Sequence, residues 1–424
     1  MIPAALPTPG VPVRGGVEVP GSKSETNRAL VLAALADGPA TVVGALVSRD
    51  STLMIDALRA LGVAIDATDD GSLRVCPPPR FTAAPDGIDC GLAGTVMRFV
   101  PPLAALADGV TRFTGDPHAS LRPMAGLLDG LRQLGVCVDG DGLPFSIGPG
   151  TPRCGDEIVI DSSPSSQFLS GLILIGCRIP GGLRIRHEGD SVPSRPHIAM
   201  TVEMLRSRGV DVIEHDSMAW EVREGVVRAH DTVIEPDLTN AAAFLAAAAV
   251  TGGRVRVPRW PRHSLQPGAL FLDVATGMGC EVIAEADAVT LQGPRRLRGI
   301  EVDLHAASEL TPVVAALAAT AEGITRITGV AHIRGHETDR LRALATELNR
   351  LGVSATELPD GLEIEGSPLR ETDPVELSTY ADHRMAHFAA VVALTRTGVR
   401  VDDIGCVSKT MPDFMTRWTG LVDA

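Results

Sequence analysis

The sequence predicts an α/β protein built from six repeated units of about 70 residues, grouped as two halves of three. Three observations carry the prediction. A helix-closing signature, Leu-Gly-Val or a near variant, recurs along the chain. A second pattern, a polar opening followed by an Ala/Leu-rich stretch, alternates with it. The glycine fingerprint of a dinucleotide-binding fold is absent, so the repeats argue for a symmetric architecture in two halves.

The closing signature first reads Leu58-Arg59-Ala60-Leu61-Gly62-Val63. It returns at Leu131–Val136, Leu205–Val210, Val274–Cys280 and Leu348–Val353. Its glycine suits a left-handed helix C-cap, and the residue after it starts a strand. A sixth copy, after Lys409, is cut short by the C-terminus. The second pattern opens at Ser22-Lys23-Ser24, Gly94-Thr95, Ser165-Ser166-Gln167, Leu238-Thr239-Asn240, Ser308-Glu309-Leu310 and Asp382-His383-Arg384. Strands are predicted to follow at 40–43, 110–113, 183–186, 254–257, 325–327 and 399–401. Helices of the second kind are apolar nearly all round and belong inside; those of the first kind are charged on one face and belong outside. The expected domains are 20–235, and 1–19 with 236–424. The segment 11–14 is expected to pair with the second half.

The composition limits the function. Hydrophobic residues make up 45%, charged residues 21% and aromatic residues only 3%, so the core is aliphatic. A net charge of -14 argues against nucleic acid or an anionic membrane as partner. No apolar run reaches the roughly 18 residues of a membrane span. Met1-Ile2-Pro3-Ala4 has neither the basic nor the apolar part of a signal peptide. The cysteines at 76, 90, 137, 154, 177, 280 and 406 form no CxxC pair, so neither a disulfide framework nor a zinc site is indicated. A reducing cytoplasm is the expected location. Of 38 Lys+Arg, only Lys23 and Lys409 are lysine. A compact ammonium with a tunable pKa is something guanidinium cannot copy.

Reactive side chains gather where helices are expected to open: Lys23, Arg28, Arg98, Arg122, Gln167, Arg195, Glu309, Glu337, Arg340, Arg384 and Lys409. Most are cations, which the positive end of a helix dipole disfavours. A bound polyanion explains them. Taken singly, each motif is ordinary: Ser22 a cap, Glu337 and Arg340 an i,i+3 surface pair, Asp382 a cap with solvated neighbours. Their recurrence in equivalent places is what points to function.

Gly21-Ser22-Lys23-Ser24 with Asn27-Arg28, Ala93-Gly94-Thr95 with Met97-Arg98, Leu121-Arg122-Pro123-Met124, Ser165-Ser166-Gln167, Glu337-Thr338-Asp339-Arg340, Asp382-His383-Arg384-Met385 and Ser408-Lys409-Thr410 together closely resemble the EPSP synthase (3-phosphoshikimate 1-carboxyvinyltransferase) family. The motifs stand in the family's order over almost the whole chain. The resemblance implies an inside-out α/β barrel in each of two domains, six βαβαββ units in all, and closure over shikimate 3-phosphate and phosphoenolpyruvate. It implies shikimate 3-phosphate contacts at Lys23, Ser24, Arg28, Ser165, Ser166, Gln167, Ser194, Glu309 and His336. It implies phosphoenolpyruvate contacts at Lys23, Gly94, Arg122, Gln167, Arg340, Arg384 and Lys409, so that the two lysines bracket that substrate. Glu309, Lys23 and Glu337 are the implied catalytic groups, with no metal or other cofactor. Glyphosate is the implied inhibitor, beside Gly94, and the implied state is a monomer.

Several positions depart from the commonest family pattern. Glu309 stands where Asp is usual, His336 for lysine, His332 for asparagine and His197 for tyrosine, while Leu92 and Phe99 stand where Asn and Pro are frequent. With the arginine bias, these resemble the actinobacterial branch. Histidine titrates near neutrality, so it brings pH dependence where lysine brings none. The sister transferase acting on UDP-N-acetylglucosamine carries a reactive cysteine in the loop equivalent to 116–122. Here Asp116-Pro117-His118-Ala119-Ser120-Leu121-Arg122 has none. A non-catalytic anion-binding protein on the same fold would be expected to lose Lys23, Glu309 or Glu337, and all three are present.

Overall fold

Residues 3–150, 157–367 and 374–424 are described by a computed structural model. Met1, Ile2 and Cys154 lie outside the described residues. The chain divides into two compact units, Gly21–Ile234 and Met1–Pro20 with Glu235–Ala424. Each has its own hydrophobic core.

Twelve α-helices occur among the described residues, two per repeat. In the unit 21–234 they are α1 (Lys23–Ala34), α2 (Arg49–Ala60), α3 (Gly94–Ala104), α4 (Ala125–Gln133), α5 (Ser166–Ile175) and α6 (Arg195–Arg206). In the other unit they are α7 (Leu238–Thr251), α8 (Phe271–Gly277), α9 (Thr311–Ala318), α10 (Arg340–Arg350), α11 (His383–Ala393) and α12 (Phe414–Val422). The odd-numbered helices are the apolar ones. Every residue of α3, α9 and α11 is buried. In each unit these helices pack on one another, α3 against α1 and α5, and α7, α9 and α11 mutually. The even-numbered helices α2, α4, α6, α8 and α10 end on the predicted glycines. Gly62, Gly135, Gly209, Gly279 and Gly352 all have φ between 81° and 104°.

Among the described residues the strands form six small sheets. In five, a parallel pair is extended by two antiparallel strands. Burial alternates along them, as in Leu183–His187 and Thr111–Thr114. One sheet face therefore meets the helices and the other meets solvent. This is the inside-out arrangement, with helices within and sheets around them. The sixth sheet pairs Val375–Leu377 with Val399–Val401 and is completed by Ala4–Ala5.

Two closures are made by distant chain. Thr232–Val233 lies parallel to Ala40–Val43 and completes the first sheet of its unit. Arg14–Gly16 lies parallel to the strand Arg254–Pro258 and does the same in the other unit. The pairing segment is thus 14–16, three residues beyond the start of the 11–14 stretch expected from sequence, and the role of Ala4–Ala5 carried no signal.

One contact joins the core to the site. Pro102 lacks the N–H that would bond the Arg98 carbonyl within α3. That carbonyl is met by Gly171 of α5, where a Cβ would press on it. Gly171→Ala should therefore push α5 away from α3 and destabilise by about 1–3 kcal/mol. A lowered urea midpoint would record this; an unchanged midpoint would mean the helices do not need this closeness.

Candidate functional site

In the unit 21–234 the polar side chains are held by the starts of α1, α3 and α5. Ser22 caps α1, accepting from the Glu25 amide. Lys23, the first residue of that helix, pairs with the buried Asp50 of α2 at 3.2 Å. Asn27 donates to Thr95 at 2.6 Å. Arg28 is buried, not at the helix mouth, and four of its N–H groups go to protein: Thr201, the Ser24 and His197 carbonyls, and Ser170. Its guanidinium also lies 5.0 Å from the Phe99 ring centre. Burial pushes it down to about 9.

Arg98 is likewise buried, one turn inside α3. It donates to the Gln167 side-chain oxygen at 3.0 Å and to the Pro123 carbonyl at 2.9 Å. Arg122 follows the 3-10 turn Pro117–Leu121 and donates to the Leu92 carbonyl. The two guanidinium groups converge on Gly94: a Cβ there would come within 2.9 Å of both. Burial, then the nearby Arg122, depresses Arg98 well below its ordinary value. Two like charges held together in a buried place suit an anion. Ser165 caps α5 and accepts from the Gln167 amide, with Ser166 buried behind it. Ser194 precedes α6 in the left-handed region, φ 50°.

The other unit holds a dense ion-pair network. Asp382 caps α11, accepting from the Arg384 amide at 2.8 Å. It also takes Arg340 by two bonds, Nε at 2.7 Å and Nη2 at 3.2 Å. The remaining Arg340 nitrogen, Nη1, donates to Glu309 at 2.8 Å. Glu309 lies 3.5 Å from Arg384 and 3.3 Å from His336. Arg384 donates to Asn240 of α7. Glu337 meets Lys409 at 2.7 Å and His383 at 3.0 Å. Its approach to Arg340 is 4.0 Å, and this i,i+3 pair is buried, not on the surface. His383 and Arg384 are buried as well, so the neighbours of the cap are not solvated.

The electrostatics follow from these contacts. Burial pushes the Glu309 carboxyl up, but Arg340, His336 and Arg384 outweigh it and hold it well below the usual carboxylate range. Burial likewise opposes Glu337, and Lys409, His383 and Arg340 prevail, leaving it well below that range. Burial keeps His383 below an ordinary imidazole. His332 donates to or accepts from Ser308 at 2.9 Å, and its ring lies between those of His305 and His336.

Two expectations need correction. Lys409 does not open a helix: it ends the 3-10 turn Gly405–Lys409, and α12 starts at Phe414. Glu309 similarly sits in the 3-10 turn His305–Leu310, ahead of α9. In both places the chain tightens before the helix begins, which sequence periodicity does not register. The fold also gathers Glu337, Asp382 and His383 so that one donor atom of each lies within 4.8 Å of the others. Their separation along the chain hid this. Both carboxylates already carry a cation at 2.7 Å, Lys409 on one and Arg340 on the other, which opposes a metal ion there. Sequence reasoning gave no role to Asp50 or Asn240, and read Asp382 as a cap, which it is, without its pairing to Arg340. Asp50 offered a faint signal as an acidic residue in the first turn of α2; Asp382 and Asn240 lay inside recognised openings.

Known proteins match this chain over nearly its whole length. The sequence pattern of EPSP synthase (3-phosphoshikimate 1-carboxyvinyltransferase) matches residues 7–418. A 3-phosphoshikimate 1-carboxyvinyltransferase from Mycobacterium ulcerans (strain Agy99) is 50% identical, covering 99% of this chain and 98% of that protein. The EPSP synthase of Acinetobacter baumannii superposes with a TM-score of 0.82 at 25% identity, covering 99% of this chain and 97% of the other. The enolpyruvyl transferase NikO from Streptomyces tendae shares the fold, with a TM-score of 0.79 at 20% identity over 99% of this chain and 97% of its own.

Burial, with His336 and His305 alongside, pushes His332 down to about 3. An unfolded imidazole titrates near 6.5 (roughly). Above that pH neither state is charged. Below it the unfolded chain takes up the proton first, so stability is lost as pH falls toward the folded value. His332→Asn should lessen the loss of stability below about pH 6.5 in urea unfolding. Equal slopes in the two proteins would remove His332 from this role.

Proposed function

The chain belongs to the EPSP synthase family and transfers the enolpyruvyl group of phosphoenolpyruvate to the 5-hydroxyl of shikimate 3-phosphate, releasing phosphate; within that reaction we propose a division of labour among its residues. The reaction is a step of the shikimate pathway toward chorismate and the aromatic amino acids. No helix among the described residues is long and apolar enough to cross a membrane. We place the enzyme in the cytoplasm as a monomer.

Lys23, Ser24, Arg28, Ser165, Ser166, Gln167 and Ser194 bind shikimate 3-phosphate, with Glu309 and His336 at its hydroxyls. Lys23, Gly94, Arg122, Gln167, Arg340, Arg384 and Lys409 bind phosphoenolpyruvate. The observation that carries this reading is the convergence of Arg340, Arg384 and His336 on the Glu309 carboxylate. Glu309 is kept anionic by the same guanidinium groups that would take the substrate's charge. A bound phosphoenolpyruvate draws those cations onto itself, their hold on Glu309 weakens, and its basicity rises. Glu309 then takes the proton of the 5-hydroxyl as that oxygen bonds to C2.

The C2–C3 π electrons take a proton in the same step, making C3 a methyl group. Lys23, paired with Asp50, supplies it. The tetrahedral intermediate loses phosphate by C–O cleavage while a proton leaves C3, restoring the double bond. Glu337, held anionic beside Lys409, accepts that proton. Arg98 stays off the substrate and holds Gln167 in place. Glyphosate competes with phosphoenolpyruvate beside Gly94, where the absence of a Cβ leaves Arg122 and Arg98 undisturbed.

Glu309→Gln should bind both substrates normally and lower turnover by about 10²–10⁴-fold, the usual weight of a general base. Near-normal turnover would remove Glu309 from the role. Gly94→Ala, by displacing both guanidinium groups, should bind glyphosate much more weakly in an inhibition assay. Unchanged inhibition would count against that location.

A further inference from the structure

Just before α11 the backbone passes two successive residues through the left-handed region, Tyr380 at φ 55° and Ala381 at φ 54°. Neither is glycine, and neither has the short polar side chain that eases this conformation. Such a turn persists only where its surroundings over-determine it. Here they do. The Tyr380 hydroxyl donates to Glu347 at 2.7 Å, and the Ser378 amide donates to the other oxygen of the same carboxylate. The Thr379 amide and hydroxyl both reach Asp402 at 2.8 Å. The Asp382 amide then returns to the Thr379 carbonyl.

Glu347 is wholly buried and also meets Arg350 at 3.0 Å. It belongs to α10, the helix that begins with Arg340. Seven residues along a helix is two turns, so Arg340 and Glu347 lie on one face. That face grips the segment 378–382 at two points: Glu347 holds Ser378 and Tyr380, and Arg340 holds Asp382. The strained pair, Tyr380 and Ala381, joins one grip to the other.

We infer that Tyr380, anchored on buried Glu347, is a positioning residue for Arg340 and Arg384: its hydroxyl holds the left-handed turn that aims Asp382, and Asp382 fixes the Arg340 fork and the first turn of α11. The inference rests on the reading of these two arginines as phosphoenolpyruvate contacts. Tyr380 touches no reacting atom. It sets the direction from which two charges meet the anion.

Steady-state kinetics on the full chain test it. Tyr380→Phe keeps the ring and removes the hydroxyl. It should raise KM for phosphoenolpyruvate about tenfold, the effect of one charge-assisted hydrogen bond, and leave KM for shikimate 3-phosphate within about twofold. Tyr380→Phe with Ala381→Gly should recover most of the loss, because glycine takes this φ without the Cβ clash. Arg384→Gln is the control and should raise the same KM. If it does while Tyr380→Phe does not, the inference falls and the arginine reading stands. If Arg384→Gln leaves that KM unchanged, the arginine reading itself falls. Equal rises in both KM values for Tyr380→Phe, or failure of glycine to rescue, mean a general structural role and overturn the inference. Tyr380 is the chain's one tyrosine, so isotope-labelled tyrosine gives a single resonance in the unaltered enzyme. That resonance should move when phosphoenolpyruvate is added and saturate with it; an unmoved resonance overturns the inference without any variant having to fold.

Discussion

The buried pair Asp382–Arg340 is the contact on which the ionic half of the site depends. Burying two charges costs several kcal/mol each, and the attraction between them repays this only when their hydrogen-bonding capacity is used. Asp382 uses one oxygen on Arg340 Nε and the other on Arg340 Nη2 and the Arg384 amide. The guanidinium is thereby fixed in its plane, and only Nη1 is left to meet Glu309. The pair contributes direction more than stability. Glu309, Arg384, Glu337 and Lys409 take their positions around a cation that cannot turn.

The two units handle charge differently. In the unit carrying Arg340, three carboxylates stand against Arg340, Arg384 and Lys409, and Glu309 and Glu337 are held in their anionic form. In the unit 21–234, Arg98 and Arg122 crowd Gly94 while donating to a neutral amide and to backbone carbonyls. The first arrangement stores bases whose strength depends on what binds their cations. The second stores a positive field that an anion relieves. An addition followed by an elimination calls for both, since it must move protons and also stabilise a leaving phosphate.

Much of this was legible in the sequence because backbone rules are local. The glycines at 62, 135, 209, 279 and 352 could be read as left-handed caps, and all are. The Ala/Leu helices could be read as buried. The strands at 40–43 and 399–401 match to the residue. What escaped was tertiary. Nothing near Lys23 in the chain names Asp50 as its partner, and nothing near Arg340 names Asp382, 42 residues away. The 3-10 turns carrying Glu309 and Lys409 escaped because a short tight turn has no period to detect. Arg28 and Arg98 were read as helix-mouth cations, yet each lies a turn deeper and is buried, and Arg98 is a spacer that holds Gln167 and the Pro123 carbonyl in place.

The closure of sheets by distant strands bears on how the chain is made. Thr8 bonds to the Ala393 carbonyl, 385 residues on, and the Val13 amide to Thr251, 238 residues on. A ribosome adding about 5–20 residues per second would leave the N-terminal strands unpartnered for on the order of tens of seconds. The segment 21–234 waits less long, since Ala40–Val43 gains its parallel partner once Thr232–Val233 has emerged, and the Thr41 amide meets Asp231 190 residues on. The N-terminal strands are short, Ala4–Ala5 and Arg14–Gly16, and the second has two glycines. A brief, weakly β-forming edge has little tendency to pair with a neighbouring nascent chain. Their modest sequence is what a strand needs when it must stay single until its own partner is synthesised.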